Sequence, residues 1–321
     1  MEFIDKIFSI KSAKDFERSA LEVFHYQAEH CAVYREYIQQ LNWKTPTNIA
    51  EIPFLPISFF KTHLVQTNEF EPEIVFKSSG TGGARSTHYV KDLDIYERAF
   101  RSIYSQFIGP PEDQVILALL PNYIEQGESS LVYMVNDLIA QSGNSLSGFM
   151  LDDLSEINIR VRAAKALGKK VVLFGVSYAL LDLCELNPDL SDAVVIETGG
   201  MKGRRKELTK QELHAALKIG LNCEQISSEY GMTELLSQAY SNQNGIFELC
   251  PWMHIQLRDI SDPFSATPNE KTGGINIIDL ANVHSCAFIA TDDLGKISEQ
   301  GFELMGRFDQ AEIRGCNQLI L

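Results

Sequence analysis

A glycine-rich stretch at residues 76–87 has the residue types of a phosphate-binding loop. Its sequence is Phe-Lys-Ser-Ser-Gly-Thr-Gly-Gly-Ala-Arg-Ser-Thr, and an apolar pair precedes it. Glycine reaches positive φ without strain, so consecutive N–H groups can turn toward one anion. The stretch combines hydroxyl donors, glycines and flanking cations: Ser78, Ser79, Gly80, Thr81, Gly82, Gly83, Lys77 and Arg85. A plain turn between two strands has the same composition, so the stretch alone leaves both interpretations open.

Three further stretches carry polar side chains that suit a nucleotide, at residues 228–234, 291–297 and 306–316. Glu234 follows a small glycine-threonine turn, where a carboxylate can hold Mg²⁺ against a triphosphate. Tyr230 offers a flat ring on which a base can stack. Asp293 can accept hydrogen bonds from ribose hydroxyls, and Arg307 can neutralise a phosphate. Each of the four also suits a structural role, respectively a helix cap, a core ring, a β-turn and a surface ion pair.

Composition limits the class of protein. The 321 residues are 45% hydrophobic and 22% charged, which is ordinary for a globular protein. The net charge of −15 argues against a general nucleic-acid binder, and a nucleotide site must therefore supply its own local donors. No apolar run approaches the roughly 20 residues that cross a bilayer, and the N-terminus lacks a signal-peptide pattern. Six scattered cysteines without zinc or CxxC spacing suit a reducing compartment. We expect a cytoplasmic protein without membrane insertion.

Apolar runs alternate with helical periodicity in the middle of the chain. The runs predict buried strands at 115–120, 170–175 and 193–197, with a short strand at 222–227. Apolar residues at three-to-four spacing predict helices at 12–41 (one or two, with Ser12 as N-cap), 92–108, 128–141, 153–167, 177–186 and 209–219. This alternation predicts an α/β fold with a parallel or mostly parallel sheet. Ligands bind such sheets outside the carboxyl ends of the strands, where residues 199–200 and 227–234 would lie.

The flanking parts of the chain have a different texture. The proline-punctuated stretch 52–61 predicts extended chain rather than helix, with its phenylalanines packed on a core. From about residue 237, short alternating runs separated by turn signals predict an antiparallel β subdomain. We therefore divide the chain into an α/β core at residues 1–236 and a β-rich subdomain at residues 237–321.

The order of the motifs resembles the adenylate-forming superfamily, which comprises acyl-CoA synthetases, peptide-synthetase adenylation domains and luciferase-like ligases. Ser-Ser-Gly-Thr-Gly-Gly is followed by Tyr-Gly-Met-Thr-Glu, Asp-Leu-Gly and Gly-Arg-Phe-Asp, a match over about residues 50 to 321. Pro53-Phe54-Leu55-Pro56 and Phe59-Phe60-Lys61 resemble the acyl-protein synthetase (LuxE) family, whose nearest cousins are phenylacetate-CoA ligases. One departure is Asp292, which replaces the glycine of the usual Thr-Gly-Asp.

The resemblance implies a fold and a site. The fold would be a large α/β domain of layered, mostly parallel sheets with helices, followed by a small β subdomain. A mobile C-terminal domain usually follows in the superfamily, and we expect it to be absent because the chain stops at Leu321. The implied cofactors are ATP and Mg²⁺, with residues 78–83 at the phosphates and Glu234 on Mg²⁺. The other implied nucleotide contacts are Tyr230, Gly231, Thr233, Asp293 (ribose) and Arg307 (ribose or phosphate).

Cys316 stands where acyl-protein synthetases carry an acyl-accepting cysteine near the C-terminus. A thiolate is a strong nucleophile, and the neighbouring Arg314 can lower the pKa of the thiol. With Thr81 and Glu234, Cys316 completes the catalytic set that the resemblance implies. The structural alternative is a buried cysteine in a terminal strand, because cysteine is among the most buried residue types. We expect the other five cysteines to be structural.

We expect an enzyme that uses ATP to activate a fatty or other apolar carboxylic acid as acyl-AMP. It would pass the acyl group to Cys316 as a thioester and deliver it to a partner such as a reductase or a carrier protein. A phenylacetate-type CoA ligase is one alternative, against which the expected absence of the mobile domain counts. A non-catalytic adenylate-binding module is the other, against which the joint presence of Thr81, Glu234, Asp293 and Arg307 counts.

Overall fold

The computed structural model describes residues 2–79, 84–120, 128–150, 154–199, 208–241, 245–268 and 270–308. Its contacts divide the chain into two compact units. The first unit comprises Met1–Ala99, Met232–Ser237 and Glu248–Leu321, and the second comprises Phe100–Gly231 and Gln238–Phe247. The first unit therefore combines an N-terminal and a C-terminal segment of the chain. The division predicted from the sequence, at residue 236, has different bounds from these units and stays a prediction.

The helices and strands follow one another in mixed order. The helices are α1 Glu2–Phe8, α2 Ala13–His30, α3 Ala32–Gln40, α4 Phe59–Thr62, α5 Leu93–Phe107, α6 Ser130–Ser142, α7 Ser155–Ala166, α8 Ser177–Cys184 and α9 Lys210–Gly220. Short 3₁₀ turns lie at Ile49–Glu51, Pro111–Asp113 and Leu280–Asn282. The strands are β1 Leu55–Pro56, β2 Ile74–Lys77, β3 Thr87–Val90, β4 Gln114–Leu119, β5 Gly148–Phe149, β6 Lys170–Val176, β7 Ala193–Thr198, β8 Ile226–Tyr230, β9 Ala239–Ser241, β10 Ile246–Phe247, β11 Met253–Arg258, β12 Gly273–Asp279, β13 Phe288–Ser298 and β14 Gly301–Arg307.

The second unit is built on a mostly parallel sheet, as the apolar runs predict. Its strand order is β5-β4-β6-β7-β8-β9, and only the β8–β9 pair is antiparallel among these neighbours. Strand β4 is buried along its whole length, which is why it has no polar–apolar alternation. Helices α6, α7 and α8 pack against β4 and β6. The predicted α/β class is thus confirmed.

The first unit contains an antiparallel sheet in the order β11-β12-β13-β14, as the alternating runs predict. The short strand β1 joins it in parallel with β13, and β2 and β3 form a separate antiparallel hairpin. Parallel pairing is therefore the rule in the second unit only. Helix α2 packs on this sheet, where Phe24 meets Phe288 with ring centroids 6.2 Å apart. The buried Gln27 side chain donates to the carbonyls of Asn282 and Val283, both at 2.9 Å.

Local signals set the ends of several helices. Ser12 caps α2 as predicted, since its hydroxyl accepts a hydrogen bond from the Asp15 amide at 3.2 Å. The expectation of extended chain without helix over residues 52–61 is partly wrong, because α4 begins at Phe59. Pro53 and Pro56 precede this helix, so neither removes a hydrogen bond inside it. The core packing expected for this stretch is confirmed by Phe54 and Phe60, which are buried.

The strand predicted at residues 222–227 lies later in the chain, at Ile226–Tyr230. Asn222 adopts a left-handed φ of 48°, which suits a turn and not a strand. The register with β7 pairs Val195 with Ile226 and Thr198 with Glu229. Ser227 to Tyr230 are therefore inside the strand, and only residues 231–234 follow it. Among the described residues, no helix combines the length and apolar character needed to cross a membrane.

Candidate functional site

The β2–β3 hairpin closes the base of the glycine-rich stretch. The Ser78 amide donates to the Ser86 carbonyl at 3.0 Å, and the Ser86 amide donates to the Ser78 hydroxyl at 2.9 Å. The Arg85 guanidinium donates to the carbonyls of Ser78 and Lys77. Arg85 therefore holds the loop base, a role that the sequence interpretation did not assign to it. Ser79 is half-buried beside this base, whereas Gly80, Thr81, Gly82 and Gly83 lie outside the described residues.

Glu234 is a buried carboxylate in the first unit, with 5% of its surface exposed. Burial raises its pKa, while a hydrogen bond from the Ser86 hydroxyl and the charges of Lys61 and Arg307 act in the opposite direction. Ser86 thus joins the loop base to the carboxylate. This role of Ser86 was not predicted from the sequence, because the burial that gives Ser86 the role is visible only in the structure.

The donor set at Glu234 suits a magnesium ion that also binds a substrate. Mg²⁺ takes oxygen ligands, often only one or two of them from protein. Within the described ranges, no group of three or more His, Cys, Asp or Glu side chains could hold a metal ion. A single buried carboxylate beside a hydroxyl therefore fits Mg²⁺ held jointly with phosphate oxygens, and fits a metal bound by protein ligands alone poorly.

The chain after Glu234 is fixed by a buried aspartate. Asp279 Oδ2 accepts hydrogen bonds from the amides of Leu236 and Ser237, at 2.8 and 3.0 Å. Its Oδ1 accepts from the Ser237 hydroxyl at 2.7 Å, and that hydroxyl accepts from Trp252 Nε1 at 2.9 Å. Burial raises the pKa of Asp279, against the effect of these donors. Sequence reasoning missed Asp279, whose local motif at the end of β12 carries no signal for this contact.

Asp293 and Arg307 lie directly opposite each other on β13 and β14. Arg307 Nη1 is 3.7 Å from Asp293 Oδ1, and Nη2 is 3.6 Å from Asp292 Oδ2. Asp293 has 15% of its side chain exposed, against about half for the other two. The β-turn alternative for Asp293 is wrong, because β13 runs through it to Ser298. The pair that the motif order implied is thus brought together, and the Arg307 guanidinium remains accessible to a phosphate or a ribose.

A buried arginine supports the same strand. Arg258 donates to the carbonyls of Thr291 and Ile275 and to Asn276 Oδ1, the last two at 2.8 Å. The Thr291 hydroxyl in turn accepts from the Asp293 amide at 3.1 Å. Burial lowers the pKa of Arg258, while the nearby aspartates act in the opposite direction. Arg258 lies 35 residues from Asp293 in sequence, so no local pattern predicted this support.

Tyr230 ends strand β8 and Gly231 follows it, both in the second unit. The Tyr230 ring is buried and meets Phe247 edge-on at 5.9 Å. A Cβ atom at Gly231 would lie 2.4 Å from Glu229 Oε1, so only glycine fits there without displacing that carboxylate. Glu229 accepts a hydrogen bond from the Thr198 hydroxyl at 2.5 Å, and burial raises its pKa to about 7.

A second buried carboxylate lies on the neighbouring strand. Burial alone would raise the pKa of Glu197, but Lys210, His214 and Ser228 hold it at about 2. Lys210 Nζ donates to Glu197 Oε1, and the hydroxyls of Ser228 and Ser177 donate at 2.6 and 3.1 Å. Neither Glu197 nor Glu229 was a predicted site residue. For Glu197 the available signal was a carboxylate at the end of the apolar run 193–196, whereas residues 226–230 are mostly polar and give no such signal for Glu229.

The structure does not test the predictions made for the C-terminal stretch. Asp309, Arg314, Gly315 and Cys316 lie outside the described residues, so the acyl-acceptor role stays a prediction.

Comparison with known proteins identifies the relatives of this chain. The family model for acyl-protein synthetase, LuxE, matches residues 9–321. The long-chain-fatty-acid–luciferin-component ligase of Vibrio harveyi is 22% identical over 309 residues, covering 88% of this chain and 81% of that protein. A ligase of the same description from Photorhabdus luminescens is 42% identical over 74 residues, covering 22% of this chain and 62% of that protein.

Solved structures share the fold. A 2-hydroxyisobutyryl-CoA ligase in an open conformation with 2-HIB-AMP and CoA matches with a TM-score of 0.68 and 12% identity, over 94% of this chain and 71% of that one. The ATP-bound RpMatB-BxBclM chimera B3 matches with a TM-score of 0.56 and 18% identity, over 75% of this chain and 49% of that one. The TM-scores show a common fold, that of adenylate-forming ligases, and at these identities they show the fold alone. Together with the family match, they confirm the resemblance drawn from the motif order: the chain belongs to the acyl-protein synthetase (LuxE) family.

Proposed function

We propose that this chain activates a carboxylic acid with ATP and then carries the acyl group itself. The observation that carries the proposal is the first-unit cluster around Glu234: a buried carboxylate, the Ser86 hydroxyl at the loop base, and the nearby cations Lys61 and Arg307. Relatives named as long-chain-fatty-acid ligases favour a long-chain fatty acid as the substrate.

The first step is an exchange of bonds at the α-phosphorus of ATP. An oxygen of the acid's carboxylate attacks this phosphorus, and the bond to the β-phosphate bridging oxygen breaks. Pyrophosphate leaves with the electron pair, and acyl-AMP remains. The nucleophile is already an anion, so the chain need not supply a general base. Its task is to orient the phosphates and to neutralise the charge that accumulates on them.

Each predicted residue has a task in this step. Backbone and hydroxyl donors of residues 78–83 bind the phosphate oxygens, while Arg307 adds a positive charge or binds the ribose. Asp293 accepts hydrogen bonds from the ribose hydroxyls. Mg²⁺ on Glu234 supplies further neutralisation of the phosphates when bound. The remaining nucleotide contacts are assigned to Thr81, Tyr230, Gly231 and Thr233.

The second step transfers the acyl group to Cys316. The thiolate attacks the acyl carbonyl carbon, the carbon–oxygen bond to AMP breaks, and AMP leaves with the electron pair. A thioester on Cys316 results, from which a partner thiol or a reductase takes the acyl group. Arg314 supports this step by favouring the thiolate.

The intact mass of the protein after incubation with ATP, Mg²⁺ and a fatty acid tests both steps together. We expect a mass increase of one fatty acid less one water, accompanied by release of AMP and pyrophosphate. Cys316→Ser should release pyrophosphate but lose the mass increase that hydroxylamine, which cleaves thioesters, removes from the wild type. Cys184→Ser, a change at a half-buried cysteine in the second unit, is the matched control and should keep it. A mass increase that survives Cys316→Ser would contradict the acceptor role.

A CoA ligase is the second candidate, because the matched solved structure holds an acyl-AMP together with CoA. The same incubation with CoA added distinguishes the two. Free acyl-CoA formed at the rate of pyrophosphate release, with unmodified protein, would favour the CoA ligase. ATP binding without pyrophosphate release for any acid would instead indicate a non-catalytic module.

A further inference from the structure

The main chain around Glu234 is held by three side chains from two other segments of the first unit. His88 Nδ1 lies 2.8 Å from the Thr233 carbonyl oxygen. Asn282 Nδ2 donates to the Glu234 carbonyl at 2.7 Å and to the Cys286 carbonyl at 3.1 Å. Asp279 accepts from the amides of Leu236 and Ser237, so each of the three side chains has at least one hydrogen bond to backbone atoms of residues 233–237. The position of the Glu234 side chain is therefore set from outside its own segment.

The His88 ring has a defined proton and a fixed orientation. A carbonyl oxygen can only accept a hydrogen bond, so Nδ1 is the protonated ring nitrogen and donates to the Thr233 carbonyl. Burial lowers the pKa of His88 to about 4, while Thr233 and Asn282 act in the opposite direction, so the ring is neutral near pH 7. Phe60 meets the ring edge-on at 6.0 Å, and 1% of His88 is exposed. The buried ring therefore keeps its Nδ1–H group directed at the Thr233 carbonyl.

The short segment of Ser86, directly before strand β3, and His88, inside it, makes two contacts with this site. Ser86 and His88 are both buried while Thr87 between them is not, as expected of an extended chain in which side chains two residues apart share a face. Ser86 donates to the Glu234 carboxylate, and its amide donates to the Ser78 hydroxyl at the loop base. His88, two residues further along, binds the carbonyl that precedes Glu234. One extended segment thus links the phosphate-loop base to the side chain and to the main chain of the same site.

We propose that His88 and Asn282 are positioning residues that hold the Thr233–Glu234 main chain so that the Glu234 carboxylate is ready for Mg²⁺ bound to ATP. The metal role of Glu234 is part of the proposed function, and this inference rests on it. Groups that orient a metal ligand typically change metal affinity about 10- to 100-fold when they are removed. Loss of either residue should therefore raise the Mg²⁺ concentration needed to bind ATP, in a protein that is still folded.

Paired substitutions at His88 separate positioning from packing. His88→Phe keeps an aromatic ring against Phe60 but has no N–H to donate. His88→Asn keeps a donor close to the place of Nδ1 but loses the ring. Asn282→Asp is the second route, because a carboxylate cannot donate to the Glu234 carbonyl, and it serves if His88→Phe does not fold. His254→Phe, at a histidine that packs near Phe16 in the same unit, is the matched control.

Two measurements on the full chain report the outcome. The first is the Mg²⁺ concentration for half-maximal ATP binding, measured by calorimetry. The second is hydrogen exchange at the amides of residues 232–237, measured by mass spectrometry. We expect His88→Phe and Asn282→Asp to raise the Mg²⁺ requirement about 10-fold or more and to speed exchange in this segment. His88→Asn should restore both toward the wild-type values, and His254→Phe should change neither.

Failure of the inference and failure of the proposed function give different results. If folded His88→Phe and Asn282→Asp need no more Mg²⁺ for ATP binding than the wild type, the positioning role is overturned. It is also overturned if His88→Asn needs as much Mg²⁺ as His88→Phe. A wild-type protein that binds ATP without any need for Mg²⁺ would overturn the metal role of Glu234 and this inference with it. A protein that shows the expected Mg²⁺ shifts but releases no pyrophosphate with any acid would contradict the proposed reaction and leave the positioning role supported.

Discussion

At the scale of single residues, the second unit holds two buried glutamates whose pKa values differ in opposite directions from the ordinary value of 4.5. Burial, helped by the negative charge of Glu197, raises the pKa of Glu229 to about 7, against the effect of the hydrogen bond from the Thr198 hydroxyl. Burial acts on Glu197 too, but the Lys210 ammonium and further donors hold its pKa at about 2. Neighbouring strands thus bring together one charged carboxylate and one that is half protonated near neutral pH.

The two shifts predict opposite pH dependences of stability. Glu229 binds more protons when folded than when unfolded, so its contribution falls as the pH rises from about 4.5 to about 7, by about 3 kcal/mol in all. Glu197 binds fewer protons when folded, so its contribution is present above pH 4.5 and is lost as the pH falls toward 2. Glu229→Gln keeps an acceptor for Thr198 but cannot ionise. We expect its free energy of unfolding in urea, relative to the wild type, to be higher at about pH 8 than at about pH 5. A difference that is the same at both pH values would contradict the raised pKa.

Lys210 should be needed to keep Glu197 charged inside the protein. Lys210→Met leaves a fully buried carboxylate without its cation, which typically costs about 3 kcal/mol or more. Lys218→Met, in the last turn of the same helix and exposed, is the control and should change the free energy of unfolding by less than about 1 kcal/mol. Equal effects of the two substitutions in urea unfolding would show that the ion pair does not stabilise the fold.

At the scale of elements, the first unit depends on the close fit of β12, β13 and β14. A Cβ at Gly295 would lie 2.6 Å from Ile275 Cδ1 and 3.0 Å from the Glu303 carbonyl oxygen. Gly295 lies two residues after Asp293 on β13, and β13 pairs Asp293 with Arg307 on β14. Crowding at Gly295 should therefore disturb the pairing that presents both side chains.

Gly295→Ala tests this fit. We expect a loss of about 1 to 3 kcal/mol in the free energy of unfolding, because the added methyl overpacks the sheet. Ile275→Val removes the nearest side-chain atom, so the double variant should recover part of the loss. A double-mutant cycle in urea measures the coupling. Additive effects of the two changes would contradict direct crowding between positions 275 and 295.

The elements differ in how far the sequence predicts them. Buried parallel strands such as β4 and β6 are continuous apolar runs, and the Ser12 cap is a local hydrogen bond, so local patterns predicted both. Strand β8 was placed too early because its register is set by pairing with β7, and its polar residues satisfy one another across strands. The site motifs were found by their order along the chain. Their supports His88, Asp279 and Arg258 come from distant segments, and no local pattern encodes such contacts.

At the scale of the whole molecule, the division into units cuts through one motif. Tyr230 and Gly231 fold with the second unit, whereas Met232 to Ser237 fold with the first. A net charge of −15 is spread over the chain, so the local cations Lys61 and Arg307 matter more for an anionic ligand than they would in a neutral protein.

The central claim is that the chain forms an acyl-adenylate reversibly, and pyrophosphate exchange tests it most directly. Labelled pyrophosphate should enter ATP only when Mg²⁺ and a carboxylic acid are both present. Glu234→Gln should lower this exchange about 100-fold, since it removes the carboxylate that would hold the Mg²⁺ needed to neutralise the phosphates in the transition state. Glu299→Gln, at an exposed carboxylate of the same unit, should leave it unchanged. Folded wild-type protein that exchanges no pyrophosphate with any acid, from short to long chain, would contradict the account.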